Sequence, residues 1–314
     1  MKVKRILMAV LILLVLLTGV GYFVGDYFVG YALKRGNSED PKAMPPACAQ
    51  IASPDLKAPA APDAPSEIWE IRSSDGLLLR AAHFSLPEES HRWAILVHGY
   101  GRTKEYTWDY AEEYLKQGYQ VLAPDLRAAG ESEGTYLTMG TMEGKDIVLW
   151  AEEIRRRDPK AKIALHGVSM GAATVLMASA GTPEAVVAVV EDCGYTSAYE
   201  MFTDQLGVLF GLPGFPIMNS VDVVSRMKMG CALSDATPLE SVRHTSVPTL
   251  FIHGDADKLV PYEMMKELYN ASSAPVKEMV TVPGAGHADA KKSDPQAYFQ
   301  KVFSFLEPYM GVND

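Results

Sequence analysis

The sequence predicts an α/β protein: a mostly parallel eight-stranded sheet with helices on both faces, a helical cap inserted late in the chain, and one transmembrane helix in front. Three observations predict it. Short apolar runs alternate with helical patterns from residue 66 onward, the stretch 193–245 is too long for an ordinary connection, and residues 6–24 form a nearly continuous apolar run.

The elements follow in order. Residues 6–24 are apolar apart from Thr18, Gly19, Gly21 and Tyr22, and about 20 such residues match the hydrocarbon thickness of a bilayer. Lys2, Lys4 and Arg5 precede the run and favour a cytoplasmic N-terminus, with the rest of the chain outside. A cleaved signal peptide and a secreted product are the alternative, but the run is long for a signal and no Ala-x-Ala site closes it. Residues 1–35 are therefore read as the anchor segment. The stretch 36–65 carries Pro45, Pro46, Pro54, Pro59, Pro62 and Pro65, the composition of a stiff spacer that would hold the domain off the membrane. Cys48 lies within it and is incidental.

The domain then occupies 66–314, with strands expected at 68–72, 77–84, 93–97, 119–123, 162–165, 185–190, 249–252 and 278–282. Helical patterns at 105–116, 142–157, 172–180, 262–270 and 295–310 separate the later strands, which makes the sheet parallel behind an antiparallel hairpin. Between 193 and 245, apolar helical pieces broken at Gly211-Leu212-Pro213-Gly214-Phe215-Pro216 read as a cap, its methionines and aromatics serving mainly as its own core.

Chemistry enters at Gly167-Val168-Ser169-Met170-Gly171, set between the apolar run 162–165 and the helical run 172–180. Strand, Gly-x-Ser-x-Gly, helix is the layout of a nucleophile elbow, which pushes a serine hydroxyl clear of the backbone at a helix N-terminus. A serine needs a base, and the base an orienting acid. Of the seven histidines, His98, His166 and His253 each end a strand before a glycine, where a ring that packs or bonds locally is expected. His83 and His91 precede the elbow, and His244 sits in a polar run. Only His287 follows a strand and a glycine loop beyond the acid region. Asp255 and Asp257 compete as the acid, and Asp255, directly after Gly254, suits a turn brace. The run 93–97 ends in His98-Gly99-Tyr100-Gly101, so the backbone N–H groups of Tyr100 and Met170 are the candidate oxyanion donors.

With these motifs in the order serine, acid, histidine, the sequence resembles the α/β-hydrolase superfamily, and within it the bacterial serine aminopeptidase-like group. The resemblance rests on His98-Gly99-Tyr100-Gly101, the segment Ala123 to Gly134, the elbow, the segment His253 to Pro261 and Gly284-Ala285-Gly286-His287. It implies the triad Ser169, Asp257, His287, because the group's acid motif falls on Asp257. Relatives usually carry Gly-His where this chain has Ala128-Ala129, a loop that borders the site.

The formal net charge of −10 excludes a phosphate-binding surface of the nucleic-acid type. No cofactor or metal is expected, since the chain has no phosphate loop, no dinucleotide fingerprint and no metal-ligand spacing among Cys48, Cys193 and Cys231. Cys193 and Cys231 are candidates for a disulfide across the cap in an oxidising compartment. The expected partners are a small acyl or ester substrate and the membrane. The expected activity is that of a serine hydrolase acting on carboxylic esters or related acyl groups through an acyl-Ser169 intermediate. An aminopeptidase, lysophospholipase or thioesterase with the same triad is the alternative, Glu191, Asp192 and Glu200 being the acids on offer for a substrate ammonium. A non-catalytic surface binding protein would be expected to lack a triad member.

Overall fold

The computed structural model describes residues 2–36 and 57–311. Most of the Pro-rich spacer, with Cys48, lies outside them. An N-terminal helix α1 (Lys2–Leu33) leads into eight strands: β1 (Ser66–Arg72), β2 (Leu78–Phe84), β3 (Arg92–Val97), β4 (Gln120–Pro124), β5 (Lys162–Val168), β6 (Val186–Asp192), β7 (Thr249–Gly254) and β8 (Lys277–Val282). They form one sheet in the order β1-β2-β4-β3-β5-β6-β7-β8. β2 pairs antiparallel with β1 and β4, and the remaining neighbours are parallel. The fold class is the one expected. All eight predicted strands are present, most of them a residue or two longer.

Helices cover both faces. Besides α1 they are α2 (Trp108–Lys116), α3 (Thr141–Arg157), α4 (Met170–Ser179), α5 (Ala198–Phe210), α6 (Ile217–Met229), α7 (Pro238–Val242), α8 (Tyr262–Ala271), α9 (Ala290–Ser293) and α10 (Pro295–Met310). The pattern at 105–116 resolves into a 3₁₀ turn, Lys104–Thr107, followed by α2. Two apolar layers result. Trp150, Ile163, Leu165 and Phe251 lie on one side of the sheet, and Leu96, Tyr114, Ile252 and Phe305 on the other. Central strands buried on both faces account for the unbroken apolar runs of β3, β5 and β7.

The insertion forms the cap helices α5 and α6, which end on left-handed Gly211 and Gly230 (φ 63° and 76°). Glycine adopts that conformation without a Cβ penalty and frees the chain to turn. Cys193 and Cys231 are both free and buried, so the cap carries no disulfide between them.

α1 is not held away from the domain as the spacer composition suggests. Residues 2–18 are exposed, whereas the C-terminal part docks on the cap. Gly25 meets α6 so closely that a Cβ there would collide with the Ser220 carbonyl, and Asp26 pairs with Lys228. Phe28 and Tyr31 stack edge-on against Phe210 at 5.4 and 5.9 Å. Backbone bonds then lock the helix end to the loop after β4, Arg35 N to Thr135 O and Leu137 N to Leu33 O, each 2.8 Å. Two glycines at i and i+4, Gly21 and Gly25, supply the groove that permits this approach.

Candidate active site

Ser169 stands between β5 and α4 with φ 58° and ψ −120°, a strained conformation for a non-glycine residue. The flanking glycines explain how it is held. A Cβ at Gly167 would overlap the Gly171 carbonyl, and one at Gly171 would overlap the Val97 carbonyl. Strand, turn and helix therefore cross at backbone contact, and Ser169 N–H donates to Asp192 O at 2.8 Å. The hydroxyl points into a cavity above the carboxyl ends of the strands, the usual ligand position in open α/β sheets.

The structure brings the sequence-derived residues together. Ser169 Oγ lies 2.7 Å from His287 Nε2, and His287 Nδ1 lies 2.7 Å from Asp257 Oδ2. Asp257 Oδ1 accepts the N–H groups of Leu259 and Val260, both at 2.9 Å. Burial alone would raise this carboxyl, but bonds from His253 and His287 outweigh it and hold the pKa well below the usual carboxylate range. Asp255 is exposed and accepts Gly284 N–H at 2.7 Å, so it braces the turn. Tyr100 and Ser169 line the same cavity. The His98-Gly99 loop approaches so closely that a Cβ at Gly99 would sit 3.9 Å from Ser169 Oγ. Met170 opens α4, where the first N–H groups have no intrahelical acceptor.

The other histidines take supporting places. His98 Nε2 accepts Leu126 N–H at 3.0 Å while Nδ1 faces Gly99 O at 2.9 Å, which fixes its tautomer. His166 bridges the hydroxyls of Tyr114 and Tyr298, each at 3.0 Å, and burial lowers its pKa to about 3. His253 does more than pack locally: its Nε2 faces Asp257 Oδ2 at 3.1 Å as well as Val260 O at 3.0 Å. Burial disfavours a charge on this ring, yet the Asp257 bond prevails and the pKa rises. The His253/Asp257 spacing, i and i+4 across a strand end and turn, was the only sequence signal for this contact.

Beneath the elbow lie buried acids. Glu191 Oε2 accepts Gly194 N–H at 2.9 Å, and burial pushes its carboxyl up to about 8. Asp192 Oδ2 accepts the Tyr298 hydroxyl at 2.9 Å. Neither acid is placed to receive a substrate ammonium, and Glu200 is exposed on α5 outside the cavity lining. Cys193 Sγ falls within 4.8 Å of ligand atoms of Asp257 and His287. Burial raises its thiol well above the ordinary value, so it stays protonated.

The cavity measures ≈ 580 Å³. Its floor holds Ser169 and His287, and its walls include Phe202 and Leu206 of the cap together with Phe28 and Ala32 of α1. The Tyr100 hydroxyl bonds to Ala32 O across this junction. No sequence motif marks α1 as a wall. The signal was the aromatic turn Tyr27, Phe28, Tyr31 directly after the apolar run.

Comparison with known proteins agrees with this architecture. The esterase Pf2001 of Pyrococcus furiosus superposes with a TM-score of 0.67 at 25% identity, over 82% of this chain and 97% of that one. Among relatives, YqkD of Bacillus subtilis is 25% identical over 76% of this chain and 78% of its own length. WAV2 of Arabidopsis thaliana, an alpha/beta hydrolase domain-containing protein, is 25% identical over 77% and 79%. The sequence profile of the alpha/beta hydrolase family matches residues 94–301, from β3 to the last helix, and so spans the elbow, the Asp257 turn and the His287 loop in one stretch. On that match and this sheet order, the chain belongs to the alpha/beta hydrolase family.

Proposed function

We propose that the protein is a membrane-anchored serine esterase. The observation that carries this reading is the hydrogen-bonded relay from Ser169 Oγ through His287 to Asp257, 2.7 Å at each step. Ser169 attacks the ester carbonyl and its proton passes to His287 Nε2. The N–H groups of Tyr100 and Met170 hold the oxyanion. The C–O bond breaks, His287 returns the proton to the leaving alkoxide, and the acyl group rests on Ser169. A water activated by the same imidazole then releases the carboxylic acid. Asp257 holds the ring in the tautomer that accepts at Nε2.

An ester is favoured over an amino-acid amide by the acids near the site. Asp109 and Asp289 line the cavity, but they are paired with Lys291 and Lys292, and Glu191 and Asp192 are buried below it. Anchoring rests on α1, which is long and apolar enough to cross a membrane. Retention of this helix is supported by its contribution to the cavity wall, which signal cleavage would strip away. The basic start supports a catalytic domain outside the cytoplasm. Ser169→Ala tests the chemistry: turnover of a p-nitrophenyl ester and labelling by a fluorophosphonate should both disappear, and survival of both in pure protein would sink the reading.

A further inference from the structure

The packing of α1 on the cap fixes how deep the cap sits. Gly21 lies against Ser220, Gly25 against Ser220 and Val224, and Asp26 against Lys228, so α1 and α6 run in the same direction. Moving toward the start of α6 therefore moves toward the middle of the apolar run 6–24. That run spans roughly 28 Å, the thickness of a bilayer core. Gly21 is three residues inside its end, about 4 to 5 Å into the hydrocarbon. Ile217 lies about as far again below Ser220, and the turn 211–216 precedes it.

The exposed side chains of the turn 211–216 are apolar. Phe215 is 79% exposed and Leu212 is exposed beside it. Val223 (61%), level with the end of the run, flanks the line of Ser220 and Val224 that meets α1, whereas Met227 lies about 4 to 5 Å beyond that end. None of these four lines the cavity. The cavity itself runs between the aromatic turn of α1 and the inner faces of α5 and α6, through Phe28, Phe210, Met218 and Val221, down to Ser169.

We infer that the cap tip is immersed in the outer leaflet and that the seam between α1 and the cap is a portal, through which a single-chain acyl ester lipid enters the site directly from the bilayer. The membrane is the occupant of the exposed face, because that face continues the surface of the spanning helix. A cavity of ≈ 580 Å³ is the size of one ligand of moderate bulk, which suits a lipid with one acyl chain. Hydrolysis follows the acyl-serine route, with water supplying the atoms of the released acid and alcohol. The inference rests on the serine-esterase and anchor readings.

Its test uses the full chain in dioleoylphosphatidylcholine vesicles containing monooleoylglycerol, with p-nitrophenyl acetate as a soluble substrate. The double variant Leu212→Asp/Phe215→Asp should hydrolyse the soluble ester within about twofold of wild type, as surface changes do. It should lose at least about tenfold on the vesicle lipid, because a carboxylate resists apolar depth. Equal activity of variant and wild type on the lipid overturns the portal, as does a wild type active only on the soluble ester. Inactivity of the wild type on both substrates instead defeats the esterase reading. Depth is read independently: fluorescence added by Phe215→Trp should be quenched by brominated lipid, whereas that added by Val276→Trp, just before β8 at the opposite end of the strands, should not. Equal quenching of the two overturns the portal whatever the activities.

Discussion

His253 and Asp257 share a buried contact, Nε2 to Oδ2 at 3.1 Å, on the same oxygen that faces His287 Nδ1 at 2.7 Å. Both partners have fully buried side chains. One carboxylate thus serves two imidazoles and two backbone N–H groups, which keeps it charged and aimed without help from solvent. Asp257 is consequently fixed from three sides, by His253, by His287 and by the N–H groups of its own loop.

That arrangement separates two roles by mutation. Asp257→Asn should cut kcat by about four orders of magnitude, since an amide no longer enforces the His287 tautomer. His253→Leu removes one charge-assisted donor from the acid and should lower kcat by about tenfold with KM unchanged. His253→Gln, whose amide can donate, should recover most of it. Steady-state kinetics on a soluble ester distinguish these cases, and equal kcat for the Leu variant and wild type would leave His253 as packing only.

Most of the sheet was legible because central strands bury both faces and so appear as apolar runs, as at 93–97 and 249–252. The serine and histidine positions were legible because each lies in a loop with glycines, which at Gly167 and Gly171 serve the backbone crossing of the elbow, whereas Asp257 was separated from Asp255 by the resemblance to the family's acid motif. What escaped the sequence depends on contacts between distant segments. Nothing local to Phe28 or Ala32 says that they wall the cavity that Ser169 lines. Equally, the Pro-rich composition of 36–65 suggests distance, while Gly25, Asp26 and Phe28 bring helix and cap into contact.

Glu191 gives the fold a pH dependence of definite sign. Burial raises its carboxyl from 4.5 to about 8, so the native state holds a proton that the unfolded chain releases across this window. Stability from this group is complete below pH 4.5 and falls as pH rises toward 8. Glu191→Gln keeps an acceptor for Gly194 N–H and removes the titration. Its melting temperature should exceed that of wild type by several degrees at pH 8, with the gap closing toward pH 4.5. A constant gap across thermal melts in that range would show that Glu191 is not the group responsible.

The elbow tolerates no added methyl group at Gly171. A Cβ there meets backbone, the Val97 and His98 carbonyls, which cannot swing aside as a side chain would. Gly171→Ala should therefore cost about 3 kcal/mol or more, the upper end for overpacking. For a domain of this size that lowers the melting temperature by roughly 6 to 12 °C. An unchanged melt would mean that strand and helix do not cross at backbone contact.

The seam between α1 and the cap can be probed by one pair of substitutions. Gly25→Ala places a methyl against the Ser220 carbonyl, while Gly30→Ala, one turn further along the same helix, meets open space. Each change gains the same helix propensity, about 1 kcal/mol, so a difference between them reports the seam alone. Forcing α1 off α6 at Gly25 displaces Phe28 and Ala32 from the cavity wall but leaves Ser169, His287 and Asp257, all carried by the sheet domain, in place. The expected result is a loss of chain-length preference rather than of chemistry. For Gly25→Ala, kcat/KM on p-nitrophenyl acetate stays within about threefold of wild type, while the preference for the decanoate falls by at least about tenfold, because each buried methylene is worth ~0.8 kcal/mol. Gly30→Ala should keep both values. If the two variants showed the same preference as wild type, the acyl chain would not run along α1, and the wall of the cavity would belong to α5 and α6 alone.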